Sequence, residues 1–263
     1  MFAKLLKYDL KRLYKILVVF YALGLVFAGL ARIVDVFDNG ATIWFIIEQI
    51  IAGAMWSMAV SGVINGVIRP LRLFRVSAYG DESYLIHTLP MKRSTIFLEK
   101  FVTGAIVIFS SIAIMIAQLA ITYLPFDELT SMLELLNSTL GTSKWVAAIF
   151  LFLIFYLEIL MVYAVGIAGI VFGRRKNNRK VLWSVIFGFS FYIFSLLLVV
   201  GLVAGYGIID KEMLDLFSNA QGNMISGNII KEAVVICIIG YSLAIGILQT
   251  AAGKSFSRGV NVE

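Results

Sequence analysis

Long apolar stretches alternate with short polar ones throughout the chain, and this pattern predicts its fold. About 20 helical residues cross the hydrocarbon core of a bilayer. Six stretches reach that length, at residues 15–34, 42–68, 96–124, 145–172, 181–209 and 233–253. The first follows several basic residues, but its apolar part is long and no small-residue cleavage site clearly precedes Asp35, so we interpret it as a retained helix and not as a signal peptide. The sequence therefore predicts an all-α, polytopic membrane protein with six transmembrane helices.

The N-terminal segment predicts a further, amphipathic helix. Its apolar residues repeat at helical spacing: Phe2, Leu5, Leu6, Leu10 and Leu13. Its basic residues lie opposite: Lys4, Lys7, Lys11 and Arg12. This arrangement is typical of a helix that lies in the membrane interface. Such a helix either serves only as an anchor or also contacts a partner protein.

The basic residues determine the orientation that we predict. The chain has 22 lysines and arginines against 16 acids, a formal net charge of +6. Most of the bases lie in the N-terminal segment, after the second span, after the fourth span and in the C-terminal tail, and such residues concentrate on the cytoplasmic side of membrane proteins. Both termini are thus predicted to be cytoplasmic. Topology and contact with anionic lipid explain the positive charge, so no nucleic-acid partner is implied.

The cytoplasmic segment between the second and third spans, residues 69–95, is long and patterned. It opens on Arg69-Pro-Leu-Arg-Leu-Phe-Arg, whose alternating basic and apolar residues predict a stretch that lies along the lipid headgroups. Gly80 breaks the pattern, and Asp81-Glu82-Ser83 suits the N-terminus of a helix. Pro90 ends the short amphipathic helix that follows. An amphipathic helix exposed to the cytoplasm implies a partner protein.

Residues 79–93, YGDESYLIHTLPMKR, resemble the signature DEgYLthTLPvsr of ABC-2-type exporter permeases of Gram-positive bacteria, found in the loop between their second and third helices. Ser83 stands where glycine is commoner, a change expected to stiffen the turn without removing it. The resemblance extends over the whole chain, from the N-terminal amphipathic helix to an insert before the sixth span. It implies a single transmembrane domain over residues 1–263, with a cytoplasmic loop at 69–95 and extracellular segments at 125–144 and 210–231.

In that family the loop forms a coupling helix that docks on a separate ATP-binding cassette subunit. The resemblance implies the following docking residues: Asp81, Glu82, Tyr84, Leu85, His87, Leu89 and Pro90. The acids would meet bases on the partner, and Tyr84 and Leu85 would be buried anchors. Alternatively, these two side chains rest on the membrane or on the protein's own helix ends.

The resemblance also implies a second permease chain, identical or not, and a location in the bacterial plasma membrane. ATP and Mg²⁺ would be bound by the partner subunit, with no cofactor in this chain. The exported cargo would be an amphiphile or a peptide.

Few residues could carry chemistry of their own. Gly253-Lys254-Ser255 matches the end of a phosphate-binding loop, but Leu248 stands where that motif needs glycine, and an apolar helix precedes it in place of a strand. His87 is the single histidine and has no cysteine nearby, which argues against a metal site. We therefore predict that the chain is not an enzyme.

Two carboxylates fall within the predicted spans, where a charge is costly. Glu158 lies near the middle of the fourth span and could either bind a cationic part of the cargo or, when protonated, hold helices together. Glu48 lies nearer the outer end of the second span, from which its side chain can reach the interface. Two other functions stay open: a non-transporting scaffold or sensor that recruits a cytoplasmic protein, and an ion-driven carrier with Glu158 as its proton site.

Three pairs of glycines have the four-residue spacing that allows helices to approach closely. They are Gly62 with Gly66, Gly169 with Gly173, and Gly201 with Gly205. Each pair predicts a close contact between neighbouring helices.

Overall fold

The computed structural model of the chain describes residues 1–37, 42–80, 82–84, 88, 90–123, 143–176, 178–209 and 227–258. Over these residues the chain forms six long helices: α1 (Phe2–Phe37), α2 (Thr42–Tyr79), α3 (Arg93–Tyr123), α4 (Lys144–Gly173), α5 (Lys180–Ile209) and α6 (Gly227–Ser257). Each contains an apolar stretch long enough to cross a membrane. The all-α class predicted from the sequence is confirmed over these residues, and the six long apolar helices are compatible with the predicted multi-pass membrane protein.

The helices divide into two compact units. The first unit contains α1, α2 and α3, and each of these helices packs against the other two. The second unit contains α4, α5 and α6, which also pack pairwise. The prediction of a single transmembrane domain over residues 1–263 stays a prediction.

A core shared by all three helices holds the first unit together. One buried cluster contains Leu13, Leu17, Tyr21, Leu73 and Val107. The Tyr21 hydroxyl and the Ser111 hydroxyl share a buried hydrogen bond of 2.6 Å between α1 and α3. Gly66 of α2 lies against the same serine, so closely that a Cβ at this position would overlap the Ser111 side chain. Small and polar residues thus allow the helices to approach closely where large aliphatic side chains would hold them further apart.

Glycine also brings α4 and α5 together in the second unit. A Cβ on Gly169 would lie 2.8 Å from the Ser184 carbonyl oxygen, and one on Gly173 would overlap the backbone of Ser184. By contrast, a Cβ on Gly201 or Gly205 would meet no atom within 4 Å. Close contact is therefore confirmed for the pair on α4 and is absent from the pair on α5, within the described part of the chain.

The predicted loop at residues 69–95 is wrong at its N-terminal boundary. α2 has 38 residues and continues through Arg69 and Pro70 to Tyr79, and the next helix begins at Arg93. The sequence was interpreted as if the helix ended where the apolar stretch ends, yet a helix can continue beyond the lipid when one face still has a protein neighbour. That face contains Pro70, Leu73, Phe74, Ser77 and Ala78, all buried.

The N-terminal amphipathic segment is not a separate helix. α1 is one continuous helix of 36 residues, which at about 1.5 Å per residue is roughly 54 Å long, against a hydrocarbon core of about 30 Å. Its predicted polar face is exposed, but Leu13 on the apolar face is buried in the core of the first unit and Leu10 packs against that core. This face therefore contacts protein. The predicted outer segments 125–144 and 210–231 lie for most of their length outside the described residues.

Candidate docking site

The connection between α2 and α3 begins at Gly80, where the backbone leaves no room for a side chain. The Gly80 N–H donates to the Val76 carbonyl at 2.9 Å, and a Cβ on Gly80 would lie 2.7 Å from that same oxygen. The Ser83 N–H then donates to the Gly80 carbonyl at 2.9 Å, and the Thr88 N–H donates to the Tyr84 carbonyl at 3.1 Å. These bonds define a tight turn followed by a helical-type contact across four residues.

Only part of the predicted docking set lies within the described residues. Glu82, Tyr84 and Pro90 are described, and Asp81, Leu85, His87 and Leu89 lie outside. The short coupling helix predicted over this segment is therefore not tested as a whole. Among the described residues, no group of histidine, cysteine and acidic side chains could hold a metal ion.

Glu82 is paired within the chain. Its Oε2 and Oε1 accept hydrogen bonds from Nη1 and Nη2 of Arg12 at 3.0 and 2.9 Å, a bidentate pair that joins the connection to α1. The Arg12 guanidinium, through its hydrogen bonds and its charge, lowers the pKa of Glu82 below its usual value. Both side chains remain substantially exposed, so the pair adds orientation more than stability.

A second group of charges, which we call the buried ion cluster, lies between α1 and α3. Its members are Asp9, Glu99, Lys100 and Thr103. The Lys100 ammonium donates to Asp9 Oδ2 and lies 3.5 Å from Glu99 Oε2, and the Thr103 hydroxyl donates to Glu99 Oε1 at 2.9 Å. Glu99 is 0% exposed and Lys100 4% exposed. Charges buried this deeply are held in place by their partners, since an unpaired charge here would be very costly.

The two groups of charges link the connection to the helices around it. The connection leaves α2 directly, is tied to α1 by Arg12, and leads into α3, which Lys100 ties back to α1. Two residues on one face of α1, Asp9 and Arg12, take part in these ties at a spacing of three residues, so one helical turn contacts both partners.

Tyr84 projects from this connection and is not covered by the described part of the chain. It is 78% exposed, although the preceding residue, Ser83, is 0% exposed. Thr88 and Pro90 are also exposed. An aromatic side chain on a braced, exposed turn is the kind of residue that anchors protein interfaces, because it buries a large area at a low cost in conformational entropy.

Comparisons of the chain with protein-family models, curated proteins and solved structures found no match. The resemblance of residues 79–93 to exporter permeases is thus carried by the sequence of this chain alone. A proposal for the function therefore rests on the geometry of the site and on the sequence of this chain.

The two intramembrane carboxylates differ in their surroundings. Glu48 is partly buried on α2. Glu158 is exposed near the middle of α4, and within the described part of the chain its carboxylate has no hydrogen bond or ion pair. Among the described residues, the structure therefore gives no hydrogen-bond or ion-pair partner for a helix-locking role of Glu158, and both of its alternative roles stay predictions.

The sequence interpretation missed the buried ion cluster. Asp9 could have been found, because it stands four residues from both Leu5 and Leu13 and so lies on the apolar face of the first helix, where an acid needs a partner. Glu99 and Lys100 were less visible. They lie four and five residues after the predicted loop, and Lys100 was counted among the cytoplasmic bases that follow the second span, although it lies one turn into the packed part of α3.

Proposed function

We propose that this protein is the membrane-spanning permease subunit of an ATP-driven exporter, and that a separate ATP-binding cassette subunit docks on the connection between α2 and α3. The observation that carries the proposal is Tyr84, an aromatic side chain 78% exposed on a turn that Arg12 ties to α1 and that leads directly into α3. A partner that binds this side chain and moves would displace the ends of the three helices of the first unit, and so could drive a conformational change in the membrane.

Glu82 takes a different role in this proposal from the one that the resemblance implies. Its carboxylate is already occupied by Arg12, so it positions the docking turn and does not need a base on the partner. Asp81, Leu85, His87, Leu89 and Pro90 remain proposed contact residues alongside Tyr84. Interface energies are concentrated in a few anchors, and an aromatic residue at the centre is the commonest kind.

The energy source in this proposal is outside the chain. The sequence Gly253-Lys254-Ser255 lies within α6, so its residues do not form the loop between a strand and a helix with which phosphate-binding motifs surround a nucleotide. We therefore place ATP and Mg²⁺ on the partner. A second permease chain completes the path for an amphiphilic or peptide cargo across the bacterial plasma membrane, with both termini of each chain in the cytoplasm.

Site-specific photo-crosslinking tests the docking proposal in living cells. A photoreactive phenylalanine replaces Tyr84 in one variant and Phe45 in the control, which is 56% exposed at the opposite end of α2 from the turn. We expect the variant at position 84 to capture a polypeptide with ATPase activity and the control not to capture it. The replacement Tyr84→Ala should abolish co-purification of that polypeptide, while Phe45→Ala should not.

Other outcomes would replace the proposal. Capture of a cytoplasmic protein without ATPase activity would favour the scaffold or sensor. Substrate movement by the purified chain alone under a proton gradient, lost in Glu158→Gln, would favour the ion-driven carrier. Labelling of a Tyr84→Cys variant by a membrane-impermeant maleimide in intact cells would place the turn outside the cell and contradict the docking assignment.

A further inference from the structure

A cavity between α1 and α2 lies at the end of the first unit where α1 begins and α2 ends. Its volume is about 270 Å³. Three arginines line it: Arg12, Arg69 and Arg72. The other lining residues are apolar: Leu13, Ile16, Leu73 and Val76. We call it the basic cavity. Its described wall thus combines several guanidinium groups with a hydrocarbon surface, and no acidic side chain is among these lining residues.

The arginines of the basic cavity retain donors for a ligand. Arg12 gives two of its N–H groups to Glu82 and keeps the others. The Arg69 Nε donates to Asn65 Oδ1 at 3.1 Å, which leaves the outer nitrogens of its guanidinium. Arg72 is exposed. Among the described residues, no carboxylate pairs with Arg69 or Arg72, so the cavity carries an excess of positive charge.

The basic cavity lies where both helices leave the apolar layer. Ile16 is the first residue after the basic N-terminal turns of α1, and Arg69 directly follows the apolar stretch of α2, so the cavity is lined from both sides of that boundary. Lipid phosphates lie at this level, with the glycerol and the first methylenes just below. The arginines are therefore at the depth of the phosphates, and Ile16, one turn further along α1 than Arg12, begins the apolar layer below them.

We propose that the basic cavity binds the headgroup phosphate of an anionic membrane lipid. Guanidinium groups pair with phosphate oxygens in a bidentate manner, and basic pockets between transmembrane helices on the cytoplasmic side are suited to anionic headgroups. Ile16 favours a lipid over a soluble anion, because this exposed side chain begins the apolar stretch of α1 and the glycerol and first methylenes of a lipid can cover it. A volume of about 270 Å³ holds a headgroup and leaves the acyl chains outside.

Lipid in the basic cavity would contact the arginine that orients the docking turn. Arg12 lines the cavity and also holds Glu82. Occupancy would therefore add negative charge beside the Arg12–Glu82 pair and link the composition of the membrane to the turn. The site itself does not depend on the identity of the docking partner, so its test can succeed or fail separately from the proposed exporter function.

The test measures lipid retained by the full chain purified in a neutral detergent with either phosphatidylglycerol or phosphatidylcholine of the same acyl chains, by native mass spectrometry. The test variant is Arg69→Gln/Arg72→Gln. The control is Lys11→Gln/Arg75→Gln, which removes the same charge from exposed positions of the same helices that do not line the cavity. A third variant, Ile16→Trp, fills the cavity and keeps every charge.

We expect the wild type and the control to retain one phosphatidylglycerol in preference to phosphatidylcholine. The arginine variant should bind it on the order of tenfold or more weakly, since each base near the surface contributes measurably to the binding of anionic lipid. The Ile16→Trp variant should lose it as well. Unchanged melting temperatures would show that the variants are folded, and the Ile16→Trp result keeps the test decisive if the arginine variant does not fold.

Three results would overturn the proposal. Equal loss of phosphatidylglycerol in the test and control variants would show that lipid retention depends on the overall surface charge and not on the cavity. Displacement of the lipid by glycerol phosphate at an equal concentration would show that the cavity binds a soluble phosphate. Unchanged lipid retention in the arginine variant, together with loss of the crosslinked protein partner, would assign the cavity to an acidic segment of that partner.

Discussion

Replacing Lys100 by methionine tests whether the buried ion cluster holds α1 to α3. Methionine keeps most of the volume of lysine, so the change removes the charge with little loss of packing. The side chains of Lys100, Asp9 and Glu99 are 4%, 11% and 0% exposed, which leaves the two carboxylates facing each other out of water when the ammonium is gone. Thr103 would still donate to Glu99, but no donor would replace the ammonium at Asp9 in the described contacts.

The expected cost follows from this burial. Removal of one partner from a buried ion pair costs about 3–5 kcal/mol. For a chain of this size, roughly 2–4 °C of melting temperature correspond to each kcal/mol, so Lys100→Met should melt about 10 °C below the wild type. The control Lys4→Met removes an exposed base from α1 and should melt within about 2 °C of the wild type.

Melting of the purified chain in detergent at one heating rate, followed by circular dichroism or intrinsic fluorescence, provides the measurement. The variant Asp9→Leu/Glu99→Leu/Lys100→Met should recover most of the loss, because well-packed apolar residues can replace a buried ion network at little cost. If Lys100→Met and Lys4→Met have the same melting temperature, the cluster does not contribute the stability that its burial implies. The apolar core alone would then hold α1 to α3.

Three further predictions concern other parts of the chain. Gly173→Ala should destabilise the second unit by about 1–3 kcal/mol because its Cβ overlaps a neighbouring helix, whereas Gly201→Ala, which meets no atom, should be neutral or slightly stabilising in the same melting assay. Because Arg12 lowers the pKa of Glu82, the pair stabilises the docking turn above the usual glutamate pKa near 4.5, and this contribution is lost as the pH falls through the lower folded-state pKa. When the pH is lowered from about 6 to about 3, the protection of the turn's amides against hydrogen exchange, corrected for intrinsic rates, should therefore fall by less than about 1 kcal/mol. Glu82→Gln should remove this pH dependence. Glu158→Gln should leave the melting temperature within about 2 °C, and a larger fall would reveal a structural role for the carboxylate that the described contacts do not show.

The membrane-spanning parts of the helices were predictable because they depend on a single property, the length of an apolar stretch. The ends of the helices were not predictable, because they depend on contacts with neighbouring helices. The helix that contains Arg69 continues to Tyr79 only because its inner face, with Leu73 and Phe74, has α1 and α3 to pack against, and no local pattern records the presence of those helices. The same reason explains why the N-terminal apolar face was assigned to lipid, although Leu13 packs in the protein core.

The candidate site was predictable in part for a similar reason. Tyr84 was singled out by the resemblance of residues 79–93 to the exporter signature, which is a local pattern. The pairing of Glu82 with Arg12 joins residues 70 positions apart, and that of Lys100 with Asp9 joins residues 91 apart. Charge patterns counted along the chain place such residues on one side of the membrane but give no partners. The resemblance implied that Glu82 meets a base on a protein partner, and in the structure its carboxylate pairs with Arg12 of the first helix.

The two ionic links of the first helix differ in strength, and this difference bears on how a docked partner could act. Arg12 and Glu82 are exposed to water, so their link contributes less than about 1 kcal/mol and can yield when the turn is pulled. Lys100 and Asp9 are buried, and breaking their link costs several times more. A force applied at Tyr84 would thus release the turn from the first helix before it separated that helix from the third. We therefore expect the turn to adjust to its partner while α1 and α3 move together as one body.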